Sequence, residues 1–491
     1  MAARYITISD NIINDIDKGI LLVDKRMPSL RQFTQLHNVS MTTANNCYQR
    51  LLDLGWLYAK PKIGYFITQP LNKQNTPIYP QFNAQVATPK VDQSIVQGLR
   101  GQFYTAQLPE DLIPQDILNR CLRRVNQRIG SDLFAYPDHQ GDVALRSALA
   151  NHFSQQHLPL KSDNLVITNG CIDAVRSAIE ITTNPGDTVA ISSPCFNGLL
   201  NLLENMGRLV LEIPCYQSQL DLDQLESLLK DKRISVCLFS ANHINPQGFC
   251  LSNQQKQRIA ELATDYQVPV IEDDICLELS YSNITPLSIK YWDKSGWVLW
   301  CSSVSKTIAG GYRLGWCEPG RFFNAYLQLR SVQFFGVNNI VQHTVCEFIN
   351  TGHYSKHLKK LTATLAAHAR QYHSLLRELL PKNTKISVPE GGMVIWLQLD
   401  NMDSQNVLNE ALKKGISFRA GSEFTTLEYY QNCLRLNIGW SIVKNEKDSA
   451  EKQEKSLALR AQLICLCGLI NEDVTSITLP LIPKPEPDGV K

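Results

Sequence analysis

Between about Ile95 and Ile470 the chain alternates stretches of helical periodicity with short, continuous apolar runs. Leu165-Val166-Ile167-Thr168, Val189-Ala190-Ile191, Val236-Cys237-Leu238-Phe239, Val268-Pro269-Val270-Ile271 and Trp297-Val298-Leu299-Trp300 are such runs. Runs of this length, with no polar alternation, suit strands covered on both faces. Their separation by helical segments predicts an α/β domain with a mixed, mostly parallel sheet. The first 69 residues have another texture, and from Gln69 to about Gln93 a polar, proline-containing segment shows neither period. The expected organisation is therefore a small domain at 1–69, a linker at 70–95, a large domain at 96–470 and a loosely ordered tail at 471–491.

In the small domain, Ser29 with Gln32 three residues on forms a capping box, and Ser40 is a second helix cap after the short link His37-Asn38-Val39. Ala44, Cys47, Tyr48 and Leu51 then fall on one helical stripe, which turns Met41, Thr42, Asn45, Asn46 and Gln49 outward. Gly55 ends that helix, and Trp56-Leu57-Tyr58 and Tyr65-Phe66-Ile67 flank a basic hairpin tip. Two helices across a short turn followed by a hairpin describe a winged helix-turn-helix, whose second helix enters the DNA major groove amino end first. A small structural or protein-binding domain is the alternative. Eight basic against five acidic residues in this region is a modest excess for phosphate binding, so useful affinity needs two copies. The stretch IINDIDKGIL followed by PSLRQFTQLHNVSMTTANNCYQRLLDLGW resembles the winged-helix domain of GntR-type regulators. The resemblance implies that Arg31, Ser40, Thr42 and Thr43 approach DNA, with Lys62 and Gly64 in the wing. It also exposes a departure: Met41 stands where the family commonly has arginine, replacing a bidentate guanine contact by an apolar one.

Composition adds little beyond size and compartment. The 491 residues exceed one hydrophobic core, and a net charge of +2 says nothing about partners. Neither a bilayer-length apolar run nor a signal-peptide core is present, which argues for a cytoplasmic protein without a membrane partner. Fourteen scattered cysteines without a CxxC pair read as reduced thiols. No metal site is expected; His353 and His357 have metal-ligand spacing but read as a solvated helix face.

Candidate chemistry centres on Ser303-Val304-Ser305-Lys306 and the nearby Arg313. A lysine among phosphate ligands suits a phosphorylated aldehyde held as a Schiff base. Its companions are Asn245-Pro246-Gln247-Gly248, the strand-end carboxylates Glu272-Asp273-Asp274, the strand-to-helix turn Thr168-Asn169-Gly170-Cys171-Ile172, the stretch YPDHQGDVALR and Arg435 in LRLNIGW. In this order they resemble the fold type I aminotransferases that use pyridoxal 5′-phosphate (PLP), over roughly residues 100–470. The resemblance implies that Lys306 anchors PLP, Asp273 keeps its ring nitrogen protonated, Asn245 bonds the phenolic oxygen and Phe196 stacks on the ring. Ser303, Ser305, Arg313 and the Gly170, Cys171 and Ile172 amides would bind the phosphate. Tyr136 would reach the phosphate of a partner subunit in a homodimer, and Arg435 would fork onto a substrate or effector carboxylate. Cys276 stands where many relatives have a tyrosine near the phenolic oxygen.

A winged helix joined to such a domain resembles the MocR/GntR regulators. The resemblance implies a DNA-binding regulator that senses PLP or a small amino compound through Lys306 and so controls operator binding. An active aminotransferase with a vestigial winged helix, and a DNA-binding dimer that has lost its cofactor, are the other readings, so the sequence leaves enzymatic turnover open.

Overall fold

A computed structural model describes residues 4–17, 20–21, 25–60, 63–68, 75–89, 101–216, 218–282, 284–400, 402–444 and 448–471. The chain divides into two compact units, Met1–Gln74 and Asn75–Lys491.

In the first unit, helices α1 (Arg4–Asp17), α2 (Leu30–His37) and α3 (Met41–Asp53) precede an antiparallel hairpin of β1 (Leu57–Lys60) and β2 (Gly64–Ile67). Both caps form as the sequence predicts. The Ser29 hydroxyl accepts from Gln32 N while the Gln32 side chain accepts from Ser29 N, and Ser40 Oγ accepts from Thr43 N at 3.1 Å. Between α2 and α3, Asn38 takes the left-handed conformation (φ 47°) that a tight interhelical turn requires. The stripe Ala44, Cys47, Tyr48 and Leu51 is buried against Ile12, Ile16, Phe33, Leu57 and Ile67. Tyr48 also donates to Pro28 O at 2.6 Å and meets the Phe33 ring edge-on, which pins the helix pair.

Among the described residues the large sheet has nine strands. On its main path these are β3 (Val86–Ala87), β6 (Leu209–Tyr216), β5 (Thr188–Ser193), β8 (Val236–Phe239), β9 (Val270–Asp273), β10 (Val298–Ser303), β11 (Gly315–Glu318) and β4 (Val166–Thr168); β7 (Gln219–Leu220) pairs with β6. Strands β6, β5, β8, β9 and β10 are parallel neighbours, while β3, β11 and β4 pair antiparallel to theirs. Every residue of β4, β8, β9, β10 and β11 is buried, as the continuous apolar runs require. A second sheet, β12 (Lys385–Ile386), β13 (Val394–Gln398), β15 (Cys433–Asn437) and β14 (Arg419–Ala420), is antiparallel and packs its apolar face on helices 353–379 and 450–471.

Of the segment read as a linker, residues 75–89 lie in the second unit; 70–74 and 90–95 lie outside the described residues, as does the tail beyond 471. Val86-Ala87 adds an edge strand to β6, and the Gln398 side chain exchanges two hydrogen bonds with the Ile78 backbone. The Phe82 ring stacks on Tyr429 at 4.5 Å. Apart from that two-residue strand, scattered side-chain contacts hold this stretch, so it carries no periodicity.

Candidate functional site

The carboxyl ends of parallel strands form the crevice where open α/β sheets bind ligands. The residues picked from the sequence come from those ends. Gly170 follows β4, Phe196 follows β5, Asn245 follows β8, Asp273 closes β9, and Ser303 closes β10 just before Lys306. Because β11 runs antiparallel, its amino end brings Arg313 and Gly315 to the same edge. The connection between β10 and β11 coils tightly, with Ile308 N donating to Val304 O at 2.8 Å and Val304 N to Leu314 O at 3.1 Å, and it presents Lys306.

Lys306 Nζ donates to Ala106 O, and burial pushes its pKa below the ordinary lysine value. Cys276, Arg435, Asp273 and Arg313 all lie close enough to act on its charge, so the structure brings these predicted residues together around one amine. Burial that lowers a lysine's pKa favours the neutral amine, the nucleophile that imine formation needs.

Three consecutive carboxylates end β9, and their partners distinguish them. Glu272 accepts from Ile289 N and Lys290 N, and Asp274 from Trp300 Nε1 and Asn242 Nδ2. Asp273 accepts only the weaker Cys171 thiol at 3.1 Å and Ile275 N at 3.3 Å, and burial raises its pKa. A buried carboxylate in that state gains from a cation such as a protonated ring nitrogen.

The turn after β4 offers the donors that an anion site needs. Helix 171–182 begins after Gly170 (φ 95°) with no side-chain cap, leaving its first amides directed at the site. A Cβ on Gly170 would stand 2.7 Å from Arg313 Nη2, and Arg313 itself donates to Asn169 O at 3.0 Å. Ser303 Oγ accepts from Ser305 N at 3.2 Å and so shapes the turn, whereas Ser305 Oγ is buried with no partner. Asn245 Oδ1 and Arg435 Nε are likewise buried and unpartnered. Burying polar atoms unpaired costs about 1–3 kcal/mol each. Three such atoms, among the described residues, on loops and strands at the carboxyl edge and on β15 fit a polar ligand with a phosphate, a hydroxyl and a carboxylate to offer.

Arg435 lies on β15 directly opposite Arg419 of β14, and burial, reinforced by the Arg419 charge, pushes its pKa down to about 9. Its Nη2 donates to Tyr104 O, and the Tyr104 ring lies under the Arg419 guanidinium at 4.1 Å. Thus the segment 101–107 uses two carbonyls, of Tyr104 and Ala106, on two of the site's basic side chains, Arg435 and Lys306. Carbonyl contacts of this kind leave no residue-type signature, and the sequence reading did not find them. The Cys171 thiol on Asp273 was also missed, because Cys171 was chosen for its amide.

Two predicted residues stand apart. Tyr136 is 91% exposed and makes no contact with its own chain's cradle among the described residues. Phe196 lies half-buried against Gly198, where a Cβ would meet its ring at 2.5 Å. Cys276 sits beside Lys306, its thiol pushed up to about 12 by burial, so it stays protonated at neutral pH. One expectation is overturned: His357 is not on a solvated face but buried, with Nε2 2.7 Å from Thr307 O. Helix 353–379 is long enough to carry a dry face that an i, i+4 pair alone does not reveal.

In the first unit, Met41, Thr42, Asn45 and Arg31 are exposed at the outer side of α2 and α3. Ser40 and Thr43 are joined Oγ to Oγ1 at 2.9 Å and serve the cap. Gly64 (φ 132°) leaves room for Arg26, whose Nε would stand 3.1 Å from a Cβ there. Lys62 lies outside the described residues.

The family model for aminotransferase class I and II matches residues 108–447. An uncharacterized HTH-type transcriptional regulator, YdcR of Escherichia coli, is 28% identical over 467 residues, covering 93% of this chain and 99% of its own length. Aromatic-amino-acid aminotransferase 1 of Thermococcus litoralis is 26% identical over 337 residues, 67% of this chain and 81% of that protein. The kynurenine aminotransferase of Pyrococcus horikoshii, solved with PMP, superposes with a TM-score of 0.68 at 23% identity, over 78% of this chain and 95% of that one. This last likeness is one of fold.

Proposed function

Because the chain belongs to the aminotransferase class I and II family, we propose that it is a PLP-dependent, DNA-binding transcriptional regulator. In this reading the second unit senses PLP or a small amino compound at Lys306. Bound PLP supplies an aldehyde that condenses with amines and a ring that draws electrons. The protein's own residues do the rest: Lys306 offers the amine, Asp273 holds a proton on the ring nitrogen, and Asn245 meets the phenolic oxygen. Ser305, Arg313 and the amides after Gly170 take the phosphate, and Arg435 takes the effector carboxylate.

What carries the reading is the joining, in one chain, of this site to a capped helix whose outward face is polar. The likeness to YdcR over 93% of the chain supports it, since that protein carries the HTH designation. A homodimer fits the exposed apolar side chains Phe134, Tyr136 and Phe335 near the phosphate end, and would give DNA the two copies its modest charge needs. Retention of Lys306, Asp273, Asn245, Arg313 and Arg435 favours a second reading, a working aminotransferase.

A gel shift on the DNA upstream of the protein's own gene, with and without PLP and candidate amines, tests the proposal. Wild type is expected to bind and respond, and Lys306→Ala to bind without responding. A Lys306→Ala protein that responds like wild type would overturn the sensing role, and multiple turnover with amino donors and 2-oxo acids would favour the enzyme.

A further inference from the structure

Behind Lys306 lies a buried polar chain that neither the cofactor nor the DNA reading uses. Thr307, the next residue, is held twice. Its hydroxyl lies 2.9 Å from Tyr354 OH, and its carbonyl lies 2.7 Å from His357 Nε2. A carbonyl only accepts, so His357 Nε2 carries a proton; burial pulls the imidazole's pKa down and keeps it neutral. Tyr354 OH donates to Glu278 Oε2 and therefore accepts from Thr307. The other carboxylate oxygen accepts from His152 Nε2 at 2.5 Å and Gln156 Nε2 at 2.9 Å.

All the principal members are inside the protein: Thr307 is 2% exposed, Tyr354 1%, His152 7% and His357 8%. Burial raises the Glu278 pKa, but His152 and the hydrogen bonds from His152, Tyr354 and Gln156 outweigh it and leave the carboxyl below its ordinary range. Burial also works against the His152 cation, and the Glu278 charge and hydrogen bond outweigh that, which favours the ion pair. Removing water from two charges is expensive, and a packed apolar pair would serve stability as well or better. Satisfied buried networks earn their place by fixing geometry.

We propose that Tyr354, Glu278 and His152, together with His357, are positioning residues for Lys306, acting through both polar groups of Thr307. The residue following the lysine is thereby fixed from helix 353–379, and Glu278 and His152 fix the tyrosine. The amine is then held where Asp273, Cys276 and Arg435 converge, instead of swinging on a free turn. The inference rests on the reading of Lys306 as the PLP anchor.

The full-length protein is compared as wild type, Tyr354→Phe, Thr307→Val, Thr307→Ser and the Tyr354→Phe/Thr307→Val double variant. In cofactor-free protein, labelling of Lys306 by formaldehyde and cyanoborohydride is followed by mass spectrometry across pH. In parallel, PLP is titrated by absorbance. Tyr354→Phe and Thr307→Val are each expected to raise the labelling midpoint toward the ordinary lysine value and to weaken PLP uptake about tenfold. The double variant is expected to lose little more than Tyr354→Phe alone, because that change already removes the Thr307 bond together with the one to Glu278. Thr307→Ser, which keeps the hydroxyl, restores both readouts. Should Tyr354→Phe not fold, the Thr307→Val and Thr307→Ser contrast carries the test. Unchanged labelling midpoints with unchanged PLP affinity in the valine variant would overturn the proposal. If wild type takes up no PLP, the anchor reading fails, and the labelling arm still decides the positioning role.

Discussion

At Gly170 the sequence motif and the required conformation coincide. Its φ of 95° is open to glycine, and a Cβ there would meet only the far end of Arg313. Alanine is strained at this φ and would push Arg313 aside, so Gly170→Ala is expected to destabilise the fold by about 1–3 kcal/mol and to move the guanidinium. PLP affinity should fall roughly tenfold to a hundredfold, with a lowered unfolding midpoint; an absorbance titration below the melting transition beside a melting curve checks this. Single residues were legible in the sequence where chemistry restricts the choice, as at Lys306 and Arg435. Among the three carboxylates that end β9 the sequence motif singles out Asp273, and the partners of Glu272 and Asp274 show that those two are spent on structure. His357 was misjudged because its task is a bond to a backbone carbonyl.

Helix α3 separates stability from recognition at adjacent positions. Ser40 Oγ satisfies an otherwise orphaned amide, so Ser40→Ala should cost about 1 kcal/mol. Exposed Met41 touches none of the core, so Met41→Arg should leave the melting temperature unchanged and raise affinity for sites with guanine at the matching position. Thermal melts and selection of binding sites from random DNA separate the two effects. The Ser40 cap and the stripe made this helix readable beforehand, since both are local patterns. Strand β6 is harder to read because it carries Glu212 and Pro214. Glu212 is fully buried only because Ser193, Thr425 and Thr426 all donate to it from distant parts of the chain.

At the scale of the whole molecule, Tyr136 links the proposed phosphate site to a subunit contact. Tyr136 is 91% exposed, yet it sits in a loop tied down by Asn339 Nδ2 on Ala135 O and by Pro137 against Gly336. A tethered, exposed aromatic beside an apolar surface suits a subunit contact better than a free surface. If Tyr136 acts on the partner's cradle, Tyr136→Ala and Lys306→Ala chains complement each other in a mixed dimer. One site then combines both defects, and the other has neither. Were the tyrosine to act within its own chain, every site in the mixture would carry one defect. Refolding differently tagged chains together, isolating the hybrid and reducing it with borohydride in the presence of PLP is therefore expected to mark Lys306 of the Tyr136→Ala chain at near wild-type affinity. Labelling no tighter than in the Tyr136→Ala homodimer would place the tyrosine in its own site and leave the dimer without a part in cofactor binding.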